Sequence, residues 1–191
     1  DAPLVYLTTT APPITVTLNT SEQGGTRVNP LDNVVLGAAC LDEKCADVQV
    51  QLRYANGARG LLWASQVATG EENHLRLRVY GTKAALHWDQ ESPNALTWHP
   101  AGQPAQRLTR GMASLPAIAA AATRTPGGHP EGYLEAFAQL YRDFARDLRA
   151  LDQPASVPGV DDGVRSLAFV ETVIASAAHD GAWTDLPSDL S

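Results

Sequence analysis

Two hydrophobic rhythms divide this chain. In its first half apolar and polar positions alternate; in its last third apolar positions recur at steps of three and four. Val48-Gln-Val50-Gln-Leu52-Arg-Tyr54 alternates cleanly and predicts a strand with one buried face. Ala55-Asn56-Gly57 follows, and Asn-Gly accepts the positive φ of a tight hairpin, so residues 60–68 are expected to return as the partner strand. Turns at 69–72 and 81–83 frame strands over 74–80 and Ala84–Asp89, with shorter candidates at 96–99 and Gln106–Thr109. Nearer the start, Leu4–Thr9 and residues 14–19 are rich in β-branched side chains and are separated by Pro12-Pro13, which predicts two strands. Residues 21–33 read as a polar, glycine-containing loop, and 34–44 as a short strand running into a turn.

The second rhythm is clearest in the segment 127–151. Leu134, Phe137, Tyr141, Phe144, Leu148 and Leu151 fall on one stripe of a helix, with Glu135, Arg142, Asp143, Arg146 and Arg149 turned to water. Gly127-Gly128 break what precedes, Pro130 suits a first helical position, and Glu131 suits the positive end of the helix dipole. A helix of this kind needs an apolar surface to rest on, and the strand-rich first half is the expected supplier. A second helix is expected after a cap at Asp161 or Asp162, with Leu167, Val170, Ile174 and Ala177 as its stripe and Gly181 as its stop. Residues 112–122 read as a short helix or connection, and Trp183 with Leu186 as a final strand or tether. Strands first and helices last give an α+β fold, a single domain over 1–191 with loop-rich stretches at 21–33 and 110–128.

The strand alternation has a further consequence. Leu75, Leu77 and Val79 point one way, and His74, Arg76, Arg78 and Tyr80 the other; Val48, Val50 and Leu52 likewise oppose Gln49, Gln51 and Arg53. The result is an open-faced sheet with one aliphatic face for the helices and one face of Arg, Gln and aromatics. That second composition matches protein–protein interfaces, which makes Arg53, His74, Arg76, Arg78 and Tyr80 candidate contacts of a face-to-face dimer. A solvated sheet face is the alternative.

Composition narrows the rest. With 191 residues the chain suits one domain burying roughly 70% of its unfolded surface. A net charge of −7 without a Lys/Arg run argues against nucleic acid, and no apolar run reaches membrane-spanning length. A cytoplasmic setting is expected. Beginning at Asp1 rather than Met, the sequence reads as part of a longer protein. Cys40 and Cys45 form a C-x4-C pair, too few ligands for a metal site; two free thiols are the expectation and a short-loop disulfide the alternative. No dinucleotide fingerprint, P-loop or nucleophile–base pattern is present. Among five histidines His129 is distinctive, since it follows two glycines, precedes Pro130 and has Arg124 nearby. It would either cap a helix or meet a polar ligand.

Several runs resemble a known family. Gly57-Ala58-Arg59-Gly60, Ser65-Gln66-Val67-Ala68-Thr69-Gly70 with Asn73, Arg78-Val79-Tyr80-Gly81-Thr82-Lys83, and Leu86-His87-Trp88 are similar to the C-terminal domain of the Gfo/Idh/MocA oxidoreductases. So are Arg124-Thr125-Pro126, the run from Gly128 to Phe137, and the tail from Asp161 through Phe169-Val170-Glu171 and Ser176 to Trp183. The resemblance implies an open-faced, mostly antiparallel (mixed) β-sheet with C-terminal helices packed on one face, like the C-terminal domain of glyceraldehyde-3-phosphate dehydrogenase. It also implies a larger enzyme moving hydride between NAD or NADP and a sugar or cyclitol hydroxyl carbon. An N-terminal Rossmann domain would bind the nucleotide, and this chain would supply substrate contacts and a homodimer or homotetramer interface. The family's Glu-Lys-Pro motif is absent, since Glu43-Lys44 is followed by Cys45, and no histidine has an aspartate four residues earlier as D-x-x-x-H requires. The chain alone is therefore expected to hold no cofactor and no catalytic group. Arg124, His129 and Tyr133 become the expected contacts to a small sugar-like substrate. A stand-alone binding or oligomerisation module of the same fold is the competing reading.

Overall fold

A computed structural model of the protein describes residues 4–9, 34–40, 46–113, 115–151 and 155–187. Strands β1 (Leu4–Thr9), β2 (Val35–Cys40), β3 (Asp47–Arg53), β4 (Arg59–Ser65), β5 (Leu75–Tyr80), β6 (Ala84–Asp89), β7 (Ala95–Pro100) and β8 (Gln106–Thr109) come first. Helices α1 (Ala117–Ala121), α2 (Tyr133–Asp147) and α3 (Val160–Ala177) follow, and β9 (Thr184–Asp185) closes the order. The nine strands form one sheet in the order β8-β7-β6-β5-β1-β4-β3-β2-β9. β1 lies parallel to β4 and antiparallel to β5; the other neighbouring pairs are antiparallel. The expected α+β, mixed and mostly antiparallel architecture is thus the observed one. The strand expected at 14–19 and the loop at 21–33 lie outside the described residues.

The Asn-Gly turn forms as its chemistry dictates. Gly57 takes φ 86°, Tyr54 donates to the Ala58 carbonyl at 3.0 Å, and the Asn56 side chain accepts from the Ala58 N–H at 2.9 Å. Register then fixes the faces, because directly paired residues share one. Leu36, Leu52 and Gly60 align, as do Ala38, Val50 and Leu62, and the aliphatic row continues through Leu77, Trp88, Leu96 and Leu108. The opposite face carries Gln49 beside Trp63, Arg53 beside Arg59, and Arg78 beside His87 and Thr97.

The core sits at one end of the aliphatic face. Val34, Leu36, Ala38, Val50, Leu52, Ala168, Val173 and Leu186 form it, with Val48, Tyr54, Leu62 and Phe169 packed around. Helix α3 is its roof, resting on β2 and β9, but on a face other than the expected stripe. Leu167 and Ile174 remain 60% and 53% exposed, while Ala168, Thr172, Val173 and Ser176 face the sheet. Small side chains allow this close approach. Ser176 Oγ accepts the Ala38 N–H at 2.9 Å and donates to the Ala182 carbonyl at 2.7 Å. Beside it, a Cβ on Gly37 would stand 2.9 Å from the Gly181 oxygen, so this contact requires glycine.

Helix α2 departs further from expectation. It begins at Tyr133, three residues after Pro130, with Gly132 at its N-cap; the Gly132 N–H donates to Glu135 at 2.8 Å. None of its residues is buried, and Leu134, Tyr141 and Leu148 are 76%, 73% and 57% exposed. Within the described residues the stripe therefore does not roof the sheet. Polar ties hold the helix instead: Arg142 donates to the Ala121 carbonyl at 2.6 Å, and Asp147 accepts from Ser156. The N-cap of α3 is Gly159, two or three residues before the expected caps, and its N–H donates to Asp162 at 2.8 Å.

Cys40, expected to be a free thiol, is disulfide-bonded. The antiparallel return from β2 to β3 brings the flanks of their connection together, as a short closed ring requires. The chain's other cysteine, Cys45, lies outside the described residues. No helix among those residues is long and apolar enough to cross a membrane.

Candidate functional site

The best-built polar site lies where the sheet edge at β7–β8 meets the segment leading into α2. Arg110, just past β8, is its centre. Its Nε donates to Asn94 Oδ1 at 2.5 Å, Nη1 to the Thr125 carbonyl at 3.3 Å, and Nη2 to Thr125 Oγ1 at 2.5 Å and to the His129 carbonyl. Nη1 also pairs with Glu131 at 3.2 Å, the two side chains being 18% and 8% exposed. Asn94 grips Glu131 by both backbone groups, accepting its N–H at 2.9 Å and donating to its carbonyl at 2.9 Å. The second Glu131 oxygen accepts the N–H groups of Arg124 at 2.6 Å and Thr125 at 2.5 Å. Burial pushes the Glu131 carboxyl up, yet the N–H donors of Thr125 and Arg124 and the Arg110 charge outweigh it and hold the group below the usual glutamate range.

Glycine completes the junction. A Cβ on Gly111 would fall 2.3 Å from Gly127 Cα, so the two backbones cross where a side chain has no room. Next to the crossing a cleft of about 510 Å³ opens between Glu91, Asn94, Arg107 and Glu131.

All three expected substrate contacts ride on this braced segment. The Arg124 guanidinium bonds to Gln139 Oε1 at 2.8 Å rather than to His129 or Tyr133. His129 is anchored by its backbone, its N–H on the Pro126 carbonyl at 3.1 Å and its carbonyl on Thr125 Oγ1 at 2.9 Å, and its ring is exposed. Tyr133 opens α2, is 72% exposed, and rests its ring 4.9 Å from that of Phe137. Sequence reasoning missed Arg110, Asn94 and Gly111. It took Glu131 for a dipole partner, whereas the carboxylate faces the guanidinium. No periodicity marks such residues; the only available signal was Arg-Gly immediately after a short strand.

Of the expected interface residues, His74 requires correction. It precedes β5 and is 7% exposed, held by Glu71 at 2.6 Å on Nδ1 and by Asp89 at 3.0 Å on Nε2. Burial therefore withholds it from an open-face contact. The bond to Asp89 raises its pKa against the opposing effect of burial, with Glu71 adding to the rise. This stabilisation is complete below the ordinary imidazole range and is lost as pH rises through the raised value. His74, Asp89 and Glu91 offer ligand atoms within 4.8 Å of one another. Both ring nitrogens already face carboxylates, and Arg76 stands 3.5 Å from Asp89, so the group fits an imidazolium better than a metal ion.

The other four interface candidates sit on the Arg-rich face. Arg53 stacks 3.7 Å over Trp183. Tyr80 meets His87 edge-on at 5.4 Å, and His87 lies 4.5 Å from His99. The Nε2 atoms of both histidines are buried with no hydrogen-bond partner among the described residues. Burial lowers the His87 pKa, and His99 and Arg78 lower it further.

The described residues do not fit a nicotinamide dinucleotide. Their one parallel strand pair is β1–β4, and the described elements between its members are the two strands β2 and β3. Among the described residues no glycine-rich strand–helix turn forms a dinucleotide crevice.

Comparisons with known proteins bear on the fold and the family. The sequence profile of the oxidoreductase family's C-terminal alpha/beta domain (Gfo/Idh/MocA) matches residues 11–186. The uncharacterized oxidoreductase YfiI of Bacillus subtilis (strain 168) is 32% identical over 146 residues, covering 73% of this chain and 37% of that protein. An oxidoreductase from Sinorhizobium meliloti superposes with a TM-score of 0.72 at 40% identity, over 81% of this chain and 47% of its own. An inositol dehydrogenase homolog from Azotobacter vinelandii, solved with NADH and myo-inositol, gives 0.79 at 27% identity, over 95% and 56%. The chain thus spans about half the length of these solved relatives.

Proposed function

The chain belongs to the Gfo/Idh/MocA oxidoreductase family as its C-terminal alpha/beta domain, and on that premise we propose that it forms the substrate side of a nicotinamide-dependent sugar or cyclitol dehydrogenase. The braced segment from Arg124 to Tyr133 carries the proposal. Arg110, Asn94 and Glu131 hold its backbone at Arg124, Thr125, His129 and Glu131, while the His129 ring and the Tyr133 side chain stay exposed to accept and donate hydrogen bonds to substrate hydroxyls. Pre-ordered donors of this kind lower the ordering cost of binding. The chemistry divides accordingly. The hydride acceptor, a nicotinamide, and the base for the hydroxyl proton would be held by the remainder of a longer protein, the expected N-terminal Rossmann domain, with this chain orienting the hydroxyl-bearing carbon. The uncovered stripe of α2, which starts at the substrate segment, supports packing of that remainder against it. NADH and myo-inositol in the Azotobacter vinelandii relative favour a polyol of that class.

The experiment is a polyol panel, myo-inositol included, assayed with NAD and NADP on the longer protein and on its His129→Ala variant. A fall of about tenfold or more in kcat/KM for the variant is expected. An unchanged kcat/KM would remove His129 from the site.

The Arg-rich sheet face is the proposed homodimer or homotetramer surface. Arg53, Arg76, Arg78 and Tyr80 line it, an Arg- and aromatic-rich composition that matches protein–protein interfaces. Light scattering at micromolar concentration tests this, and a monomer would end the reading.

A further inference from the structure

We infer that Arg110 is a positioning residue for substrate binding: it never touches the substrate, but sets where the His129 ring and Tyr133 stand. The inference rests on the substrate reading given above and extends it to a residue on another element. Three observations carry it. First, the guanidinium reaches four residues, and all are either on the segment 125–131 or on the asparagine that grips it. Second, the contacts go to backbone carbonyls, to Thr125 Oγ1 and to the buried Glu131, and none goes to the His129 imidazole. The brace therefore fixes the carrier and leaves the ring available. Third, Gly111 follows Arg110 and crosses Gly127 at a distance only glycine permits, so the same two residues supply a polar clamp and a backbone stop.

Arginine suits this place for a geometric reason. A planar fork with five donors in fixed directions can bond to Asn94, Thr125, His129 and Glu131 at once. A lysine keeps the charge opposite Glu131 but has one nitrogen, and it cannot reach Asn94, the two carbonyls and Glu131 at once. Removing the charge altogether strands a Glu131 carboxylate that is 8% exposed. Arg110→Lys is therefore the informative change, because it separates fork geometry from charge.

The test uses the longer protein and two readouts. Hydrogen exchange should show the amides of Arg124, Thr125 and Glu131 exchanging about tenfold or more faster in Arg110→Lys, with the Tyr54 and Gly57 amides of the distant hairpin unchanged. Steady-state kinetics on the best polyol of the panel should show KM raised about tenfold with kcat nearly constant, since the loss falls on binding shared by ground and transition states. Glu131→Gln, which keeps the shape and drops the charge, should loosen the same amides by less. Unchanged exchange in Arg110→Lys overturns the brace. Faster exchange with an unchanged KM overturns the positioning role. The parallel His129→Ala measurement keeps the two readings apart: an inert His129→Ala defeats the substrate assignment, while the exchange result still judges the brace.

Discussion

Helices α2 and α3 begin alike and end up in different surroundings. Each has glycine at its N-cap, and each N-cap N–H is taken by a carboxylate three residues on, Glu135 or Asp162, at 2.8 Å. α2 has the more regular apolar stripe but buries none of it; α3 has the less regular one and roofs the core with Ala168, Thr172, Val173 and Ser176. An apolar stripe states that a helix needs cover. It does not say which surface provides the cover, and close approach to a sheet is decided by small side chains. α2 is held by polar side chains, α3 by its packed face.

The strongest way to break this contrast is to place the same charge on both helices. Val173→Asp should cost about 3 kcal/mol or more, because an unpaired carboxylate enters the core, while Leu140→Asp, at a position 50% exposed, should change stability by less than ~0.5 kcal/mol. Urea unfolding of the isolated chain measures both, and equal losses would erase the distinction. In the longer protein Leu140→Asp should become costly if the remainder packs on α2, and thermal unfolding of the full chain would show it.

Next in size is Ser176→Ala. It leaves the Ala38 N–H without its acceptor inside the core and should cost about 1–3 kcal/mol by the same measurement. The smallest effect is acidification. The Gly132 N–H bonded to Glu135 holds that carboxyl below its usual range, and Ser156 bonded to Asp147 does the same at the other end of α2. Depressed pKa values give stability that is present above the ordinary carboxylate range and lost as pH falls through the folded values. Residue-resolved hydrogen exchange should therefore show α2 opening at an acidity that leaves the Val173 and Ser176 amides of α3 protected.

The alternation of Val48 to Arg53 and the Asn56-Gly57 turn were legible because strand period and turn chemistry are local. The two-faced sheet followed from the same period, and its register agrees residue by residue. Of the two helices expected to roof the sheet, α3 does and α2 does not, because Leu134 and Phe137 look apolar whatever lies above them; within α3 the contact face was missed, since Ala168 and Ser176 look unremarkable although they make the contact. At the candidate site His129, with Arg124 nearby, was distinctive in the residues themselves, and the family resemblance made both, with Tyr133, the proposed substrate contacts. Their brace was not legible, since Arg110, Asn94 and Glu131 lie up to 37 residues apart and meet only in space. His74 departs for a related reason: alternation assigned it a face, and carboxylates from the preceding turn, the end of β6 and just beyond it surround the ring.

The hydroxyl of Ser176 has a consequence for the molecule in a crowded solution. A β-sheet ends in a ledge of unpaired amides that invites another chain to dock and grow a fibre. Here the ledge beyond β2 is shut by three different parts. Thr184–Asp185 pairs with Val35 and Leu36, the Leu186 N–H bonds to the Val34 carbonyl at 2.8 Å, and a serine from the helix above takes the next amide. One oxygen atom thus takes a bond that a longer neighbouring strand would otherwise make, leaving one amide fewer at the margin beside the core for a newcomer to pair with.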